Sequence, residues 1–547
     1  MIDRGDAVAT LATEQFELLV IGGGITGAGV ALDAASRGLT VGLVEWRDFA
    51  SGTSSRSSQL LHGGLRYLRG LHLGLVREAL AERELMLELA PRLVWRLPVV
   101  VPALGRARPA GRYGAALTMY DVLGPGRGRG ADRHRSISGA EVAELVPALA
   151  GCRPQSGYLF HDYQTDDVRL VLTLLGEAER RGAVCANRLQ AVKLVEHGGR
   201  IAGVEVLDAE RGGRFTVAAD RVVNATGAWA ARLLGRHPGD APPIRPSRGT
   251  HVVLRSRDLP LSAAGVVLPA GGRRHVMALP WLGRVLVGAT DDDHHGDIDE
   301  VRPSDQDVDY LLDAVNAFFR TELERADVVG AFAGVRPLVG DHAARRPDDV
   351  PRTAQLHFSR AGMLTVTGGK LTLWRRMAKR AVDRLLEHEG RTAPCRTHEI
   401  PLAPRPVASL AGDRDDHLAT RYGPAAGDVL ALAAADPLAA LPIVDGRPDL
   451  VAEAVYAARH EQAQSVADVL LRRTRLGLLA AREVCEPAGG VALRVAQAMA
   501  PAQGWTEGRT AREAAAWARE AGAEGLVVTP ETQLRPAVVR RTTVTLG

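Results

Sequence analysis

The stretch Phe16 to Glu45, FELLVIGGGITGAGVALDAASRGLTVGLVE, leaves the chain little choice of fold. Phe16 to Ile21 is apolar apart from Glu17, which suits a parallel strand buried on both faces. Ile25 to Arg37 reads as an Ala-rich helix closed by Gly38, and Leu39 to Val44 as the next strand. Between strand and helix, Gly22, Gly24 and Gly27 hold G-x-G-x-x-G spacing. In that pattern the first glycine permits the sharp turn, the second lets a pyrophosphate reach the backbone, and the third lets helix and strand pack closely. The helix N-terminus at Ile25 and Thr26 then offers N–H groups and a partial positive charge to phosphate. With 59 glycines in 547 residues the spacing alone is weak evidence, and the flanking strand and helix give it meaning. Glu45 closes the second strand 18 positions beyond Gly27, where a carboxylate accepts from ribose hydroxyls. A carboxylate there disfavours NADP and leaves FAD and NAD open.

A chain of 547 residues has room for two or three domains and a large core. No apolar run reaches the roughly 18 residues of a spanning helix. Met1 to Gln15 lacks the apolar stretch of a secretory signal, so a cytoplasmic location is expected. Cys152, Cys185, Cys395 and Cys485 lie far apart with no C-x-x-C, which indicates neither a zinc site nor a disulfide framework. The formal net charge of +4 comes with no basic tail, so nucleic acid is not expected as a partner. Only Lys193, Lys370 and Lys379 are lysines, leaving 65 of the 68 basic residues as arginine. A lysine kept against that bias suggests a place where guanidinium would not serve.

Beyond Glu45, hydroxyls and N–H groups of Thr53, Ser54, Ser55 and Ser58 can line a pyrophosphate or flavin, followed by His62, Gly63, Gly64, Arg66 and Tyr67. Leu73 to Ala90 is a helical run stopped by Pro91. Pro91 to Tyr120 mixes apolar residues, Trp95, Tyr113, Tyr120 and five arginines, and fits either an interface or a strand and helix of an inner domain. Gly124 to Gly130 reads as a flexible loop. A helix through Asp167 to Arg181 precedes three strand-like runs that form a meander. Ala225, Thr226 and Gly227 break the next strand into a small-residue turn, a shape that fits under the ADP part of a dinucleotide. Antiparallel strands are expected at Thr250 to Arg255, His275 to Pro280 and Arg284 to Thr290. Asp291 to His295 reads as a solvated loop, because adjacent ligands lack coordination spacing, and no metal is expected. Gly362 to Thr372 is a strand, a Gly368-Gly369 turn and a helix start at Lys370, Leu371 and Thr372. Its N–H groups suit an anionic acceptor such as reduced flavin. Ile400 to Pro406 reads as a linker, and the chain beyond it as helical, notably Leu450 to Leu479.

Several of these runs together resemble the FAD-dependent glycerol-3-phosphate dehydrogenase family. They are GGGITGAG from Gly22, TSSRSSQLLHGGLRYL from Thr53, VVNATGAW from Val222, GTHVVL from Gly249, GATD from Gly288, GVRPL from Gly334, GGKLT from Gly368 and RHEQAQSVADVLLRRTRLGLL from Arg459. The segment before Phe16 and the tail beyond about Glu483 carry no motif of the set. The resemblance implies an α/β fold with a Rossmann-like FAD-binding domain, an antiparallel β substrate domain and a helical C-terminal domain. The expected ranges are 1–90, 155–235 and 356–390 for the first, 91–154 and 236–355 for the second, and 407–547 for the third. It further implies oxidation of sn-glycerol 3-phosphate with FAD, electrons passing to a quinone. A phosphate dianion needs fixed cations, which Arg66, Arg336 and Lys370 can supply, with Tyr67 as a further donor. His251 is the candidate base because its unperturbed pKa of about 6.5 suits proton abstraction, with His62 as runner-up. A quinone lies in the bilayer, so a peripheral membrane protein docking through Trp95, Val99 to Val101 and Leu104 is expected, with a homodimer allowed. A flavin oxidase acting on an amino acid, a glycerol-3-phosphate oxidase using oxygen, and a non-catalytic flavin-binding protein are the rival readings.

Overall fold

A computed structural model describes residues 1–104, 111–125, 133–233, 244–271, 274–339, 350, 353–402 and 413–528. The apolar run after Glu17 forms the strand Leu18–Ile21, flanked in parallel by Val41–Val44 and Val222–Asn224. Val184–Ala186 and Leu364–Thr367 extend this sheet in parallel, and Gln355–Phe358 closes one edge antiparallel. Helix Ile25–Ser36 lies on one face, between helices Asp167–Glu179 and Trp374–Glu387. The meander Leu189–His197, Arg200–Asp208 and Arg214–Ala219 contributes to the apolar layer on the opposite face. A helix that no motif announced, Arg4–Thr13, joins that layer through fully buried Leu11, for which Gly42 leaves the space.

A second, ten-stranded and mostly antiparallel sheet is built around Ile244–Arg255. It pairs with Val328–Val339 along nearly its whole length and with Arg284–Gly288 on the other side. Leu60–Leu61 and Ser156–Thr165, from the ranges expected for the dinucleotide unit, pair into this sheet instead. Val94–Ala103, expected in the substrate unit, pairs into it as well. Its residues pair with Ser156–Thr165 throughout, Val99 and Val100 are fully buried, and the Trp95 indole N–H donates to Gln164 Oε1 at 3.1 Å. Of the expected membrane-docking residues, Val99 to Val101 are therefore in the core of a sheet, Trp95 is half-buried on its strand and Leu104 is half-buried against the core, as the strand of the inner-domain reading requires. Part of the Gly124 to Gly130 loop, residues 126–130, lies outside the described residues.

The C-terminal part is helical, but Leu450 to Leu479 is not one helix. Val451–His460 ends before Gln462, which takes a left-handed conformation (φ 53°), and a π-helical turn Asp468–Arg473 leads to Arg475 at φ 65°. These breaks aim Arg472, Arg473 and Arg475 at buried carboxylates on the dinucleotide side. Ile400 and Leu402 are buried in the first core, so the start of the expected linker is packed, and residues 403–406 lie outside the described residues.

The tightest packing in the first unit is glycine against carbonyl. A Cβ on Gly27 would sit 1.8 Å from Gly22 O, whereas one on Gly176, also in a helix, would meet nothing within 4 Å. Gly27→Ala must shift backbone and should cost at least about 1–3 kcal/mol. Gly176→Ala should be neutral or stabilising by up to about 1 kcal/mol. Thermal unfolding of the two variants checks the contrast, and equal melting temperatures would refute it.

Candidate active site

Three neighbouring parallel strands end at the same edge of the first sheet, and each runs into a glycine-bearing turn. Leu18–Ile21 leads to Gly22–Gly24, Val222–Asn224 to Ala225–Gly227, and Leu364–Thr367 to Gly368–Lys370. Turns at the carboxyl ends of adjacent strands converge, which is where open α/β sheets bind ligands. Here they open into a cavity of about 600 Å³, within the usual size of a small-molecule site.

The first wall is a cradle for a dinucleotide. Gly22 (φ 110°) could carry no side chain, because a Cβ would lie 2.7 Å from Ala225 O. Gly24, Ile25 and Thr26 line the cavity at the helix start, and Ser54 Oγ accepts the Ile25 N–H at 2.9 Å. Glu45 also lines it and accepts from Gly23 N at 2.7 Å and Arg47 N at 2.8 Å, which fixes the carboxylate; burial raises its pKa. Thr53, Ser58, His62, Ala225, Thr226, Gly227, Gly368, Gly369, Lys370, Leu371 and Thr372 complete this lining. Backbone bared by glycines, a fixed acidic side chain and a helix N-terminus match the donors and acceptors of a dinucleotide. Ser55 does not line the cavity; it is buried, with its hydroxyl on Gly52 O. Gly27 does not either, and acts by packing. Gly63 and Gly64 act by leaving room: a Cβ would lie 2.5 Å from the Tyr120 hydroxyl in one case and from the Tyr67 ring in the other.

The second sheet supplies the other wall. His251 and Arg336 stand on the paired strands Ile244–Arg255 and Val328–Val339, and both line the cavity. Each has a glycine beside it: a Cβ on Gly288 would lie 2.3 Å from the imidazole, and one on Gly249 2.2 Å from the guanidinium. His251 stacks on Phe332 (centroids 4.8 Å apart) and its Nε2 is 2.8 Å from Ser58 Oγ. Burial, and then the charge of Arg336, lower its pKa to about 3. Arg336 Nη1 donates to Asp291 Oδ1 at 3.2 Å, while Arg66 Nη1 lies 3.8 Å from the other oxygen of Asp291. Arg66 also donates to the Tyr67 hydroxyl at 3.3 Å. Lys370 Nζ sits 3.9 Å from the centre of the Tyr67 ring, a cation–π distance. Arg66 and Tyr67 thus stand behind the lining rather than in it, joined to it through Asp291 and Lys370.

Known proteins resemble this chain over nearly its whole length. Residues 17–375 match the FAD dependent oxidoreductase family, and residues 361–510 match the C-terminal domain of alpha-glycerophosphate oxidase. Glycerol-3-phosphate dehydrogenase 2 of Mycobacterium tuberculosis is 39% identical over 545 residues, covering 96% of this chain and 91% of its own. The chain belongs to the FAD-dependent glycerol-3-phosphate dehydrogenase family. Among solved structures, the family member from Bacillus halodurans complexed with FAD superposes with a TM-score of 0.76 at 28% identity, covering 97% of this chain and 99% of that one. A mitochondrial glycerol-3-phosphate dehydrogenase of Arabidopsis thaliana is 34% identical, covering 92% and 86%. FAD is accordingly the cofactor, and NAD is set aside.

Two sequence readings change. Asp291 to His295 is not simply a solvated loop: Asp291 ties Arg336 and Arg66, Asp292 pairs with Arg274 and Asp293 with Arg245. Nothing in the run Asp-Asp-Asp sets the first apart; only the pairing of Asp292–Asp293 with Ser247 and Arg248 orients them. His251 is not a base with an ordinary pKa, since it stays neutral far below neutrality. Phe332 was also missed as its stacking partner, hidden in an apolar run.

The depressed pKa sets a sign. Below pH 6.5 the unfolded chain takes up a proton at His251 that the folded chain refuses until about pH 3, so this residue's share of stability is present above 6.5 and lost as pH falls between those values. Histidine NMR on the wild type, with His251→Gln to assign the signal, should show His251 unprotonated through pH 5. A midpoint between 6 and 7 would overturn this.

Proposed function

We propose that this enzyme oxidises sn-glycerol 3-phosphate to dihydroxyacetone phosphate through the two walls described above. The observation that carries the proposal is the pairing of a flavin cradle with a cationic wall bearing one neutral, buried imidazole. Bound FAD supplies the two-electron acceptor for the hydride leaving C2. The substrate's phosphate dianion is matched by Arg336 and Lys370, which line the cavity, with Arg66 adding its charge from behind through Asp291 and the Tyr67 ring lying under Lys370. His251 accepts the C2 hydroxyl proton. Its Nε2 shares a hydrogen bond of 2.8 Å with Ser58 Oγ, and the tautomer sets which of the two donates. A phosphate placed against Arg336 offsets the very charge that helps to depress His251, so binding the substrate raises the basicity its oxidation needs. His62 also lines the cavity, its backbone N–H donating to Thr372 Oγ1 at 3.1 Å, and remains the second candidate base.

For the electrons, we favour a membrane quinone over oxygen, with the enzyme attached peripherally to the cytoplasmic membrane. Among the described residues no helix is long and apolar enough to cross a membrane. Support for surface attachment comes from exposed Leu73, Met119 and Val122, on elements that pack together, helix Gly111–Leu123 against Leu65–Gly70 and Leu73–Leu89, and from exposed Leu71 between the last two. These replace Trp95, Val99 to Val101 and Leu104 as the apolar contacts.

Purified protein should be yellow, and anaerobic sn-glycerol 3-phosphate should bleach it while glycerol does so poorly. Failure to bind FAD, or a spectrum unmoved by the phosphate ester, would end the proposal. Lys370→Ala or Arg336→Ala should lower kcat/KM about 10- to 100-fold, the loss of one charge-assisted contact of roughly 1.5–3 kcal/mol. The acceptor is decided by liposome co-sedimentation paired with peroxide yield. Sedimentation with little peroxide is expected, and sedimentation should fall when Met119 and Val122 become serine. Full solubility with near-unit peroxide per substrate oxidised would make the enzyme an oxidase.

A further inference from the structure

We propose that Arg475, in the C-terminal part of the chain, is a positioning residue for the active site. It acts through Asp167 and Ser57 to hold Ser58 against His251, and the proposal rests on the reading of His251 as the proton acceptor. Arg475 is completely buried. One of its nitrogens bonds Asp167 Oδ1 and lies 3.2 Å from Asp166 Oδ1, while the other donates to Ser55 O at 3.2 Å. The second oxygen of Asp167 accepts from Ser57 Oγ at 2.7 Å and Ser57 N at 3.2 Å. Gln59 closes the loop, its N–H on Ser57 Oγ at 3.1 Å and its Oε1 accepting the Asp167 N–H at 3.1 Å. Between Ser57 and Gln59 stands Ser58, whose hydroxyl is 2.8 Å from His251 Nε2.

The same loop is fastened at two more points from the C-terminal part. Asp48 is gripped by Arg472 and Arg473, and Arg56 pairs with Glu524 at 2.6 Å. Stability alone does not call for such an arrangement, because well-packed apolar side chains replace buried ion pairs at little or no cost. What ion pairs add is direction. A guanidinium held between Asp167 and Ser55 O fixes one oxygen of the carboxylate, the other oxygen fixes two donors of Ser57, and the adjoining hydroxyl is thereby set at the imidazole. On this account the C-terminal part holds the cavity-lining loop Ser51–Ser58 from behind and selects the tautomer of His251.

Ser57→Ala in the FAD-loaded enzyme is the gentlest test, since it leaves every charge in place. It should lower kcat about five- to tenfold with KM for sn-glycerol 3-phosphate changed less than twofold, and shift the 15N resonances of the His251 ring. Ser57→Thr, which restores the hydroxyl, should recover both. Arg475→Met should act in the same direction and more strongly per FAD-loaded molecule. If Arg475→Met does not fold, the Ser57 pair decides alone. Wild-type kcat and unshifted His251 resonances in Ser57→Ala would overturn the proposal, as would an Arg475→Met whose activity falls only in step with its FAD content. The His251 resonances report position without turnover, so a fully active His251→Gln would remove the base assignment while leaving the positioning claim to be judged by NMR.

Discussion

Asp48 is buried without exposure between the guanidinium groups of Arg472 and Arg473, and much of the molecule hangs on that contact. The aspartate follows closely on the strand Val41–Val44 and Glu45; the arginines come from more than four hundred residues later. Neither side can be buried alone, since an unpaired charge in such a place costs about 3–5 kcal/mol. The glycine cradle, the loop behind the cavity and the C-terminal helices therefore fold as one body. Arg188–Asp468 and Arg169–Glu461 repeat the arrangement nearby. Some of the sequence's arginines are placed here, inside, and two of them, Arg473 on Asp48 and Arg169 on Glu461, bind both oxygens of a carboxylate.

On the reacting side the same logic runs in reverse. Arg336 and Arg66 share one aspartate, so a single negative charge faces two cations and the site remains attractive to a dianion. The imidazole beside them is kept neutral by burial first and by Arg336 second. An uncharged acceptor next to a cationic clamp is what a reaction requires when its substrate is an anion that must give up a proton: the clamp draws it in, and nothing on the base repels it or must first be deprotonated.

Glycines make the room in which the second wall of the site is built. Gly249 and Gly288 flank Arg336 and His251 within distances that no side chain could occupy, and Gly330 lets the backbone of Leu478 approach the same sheet. Each looks incidental in a chain with 59 glycines. Their meaning lies in what stands opposite them, which spacing along the chain does not express.

The sequence by itself determined the dinucleotide unit, because its signals are local: a buried strand, a glycine turn, a helix and a closing carboxylate lie within thirty residues, where chain connectivity already brings them together. It also determined that His251, Arg336 and Lys370 would be of interest, since the runs that carry them are specific. Tertiary structure decided the rest. That Val94–Ala103 is a sheet strand, that Asp291 joins two arginines, and that Arg475 reaches Ser57 through Asp167 are consequences of strand pairing and ion pairing between residues far apart in the chain. The balance of burial and charge that makes His251 neutral is likewise a property of the assembled cavity. An imidazole's pKa is set by its surroundings, and those exist only once the two sheets have closed.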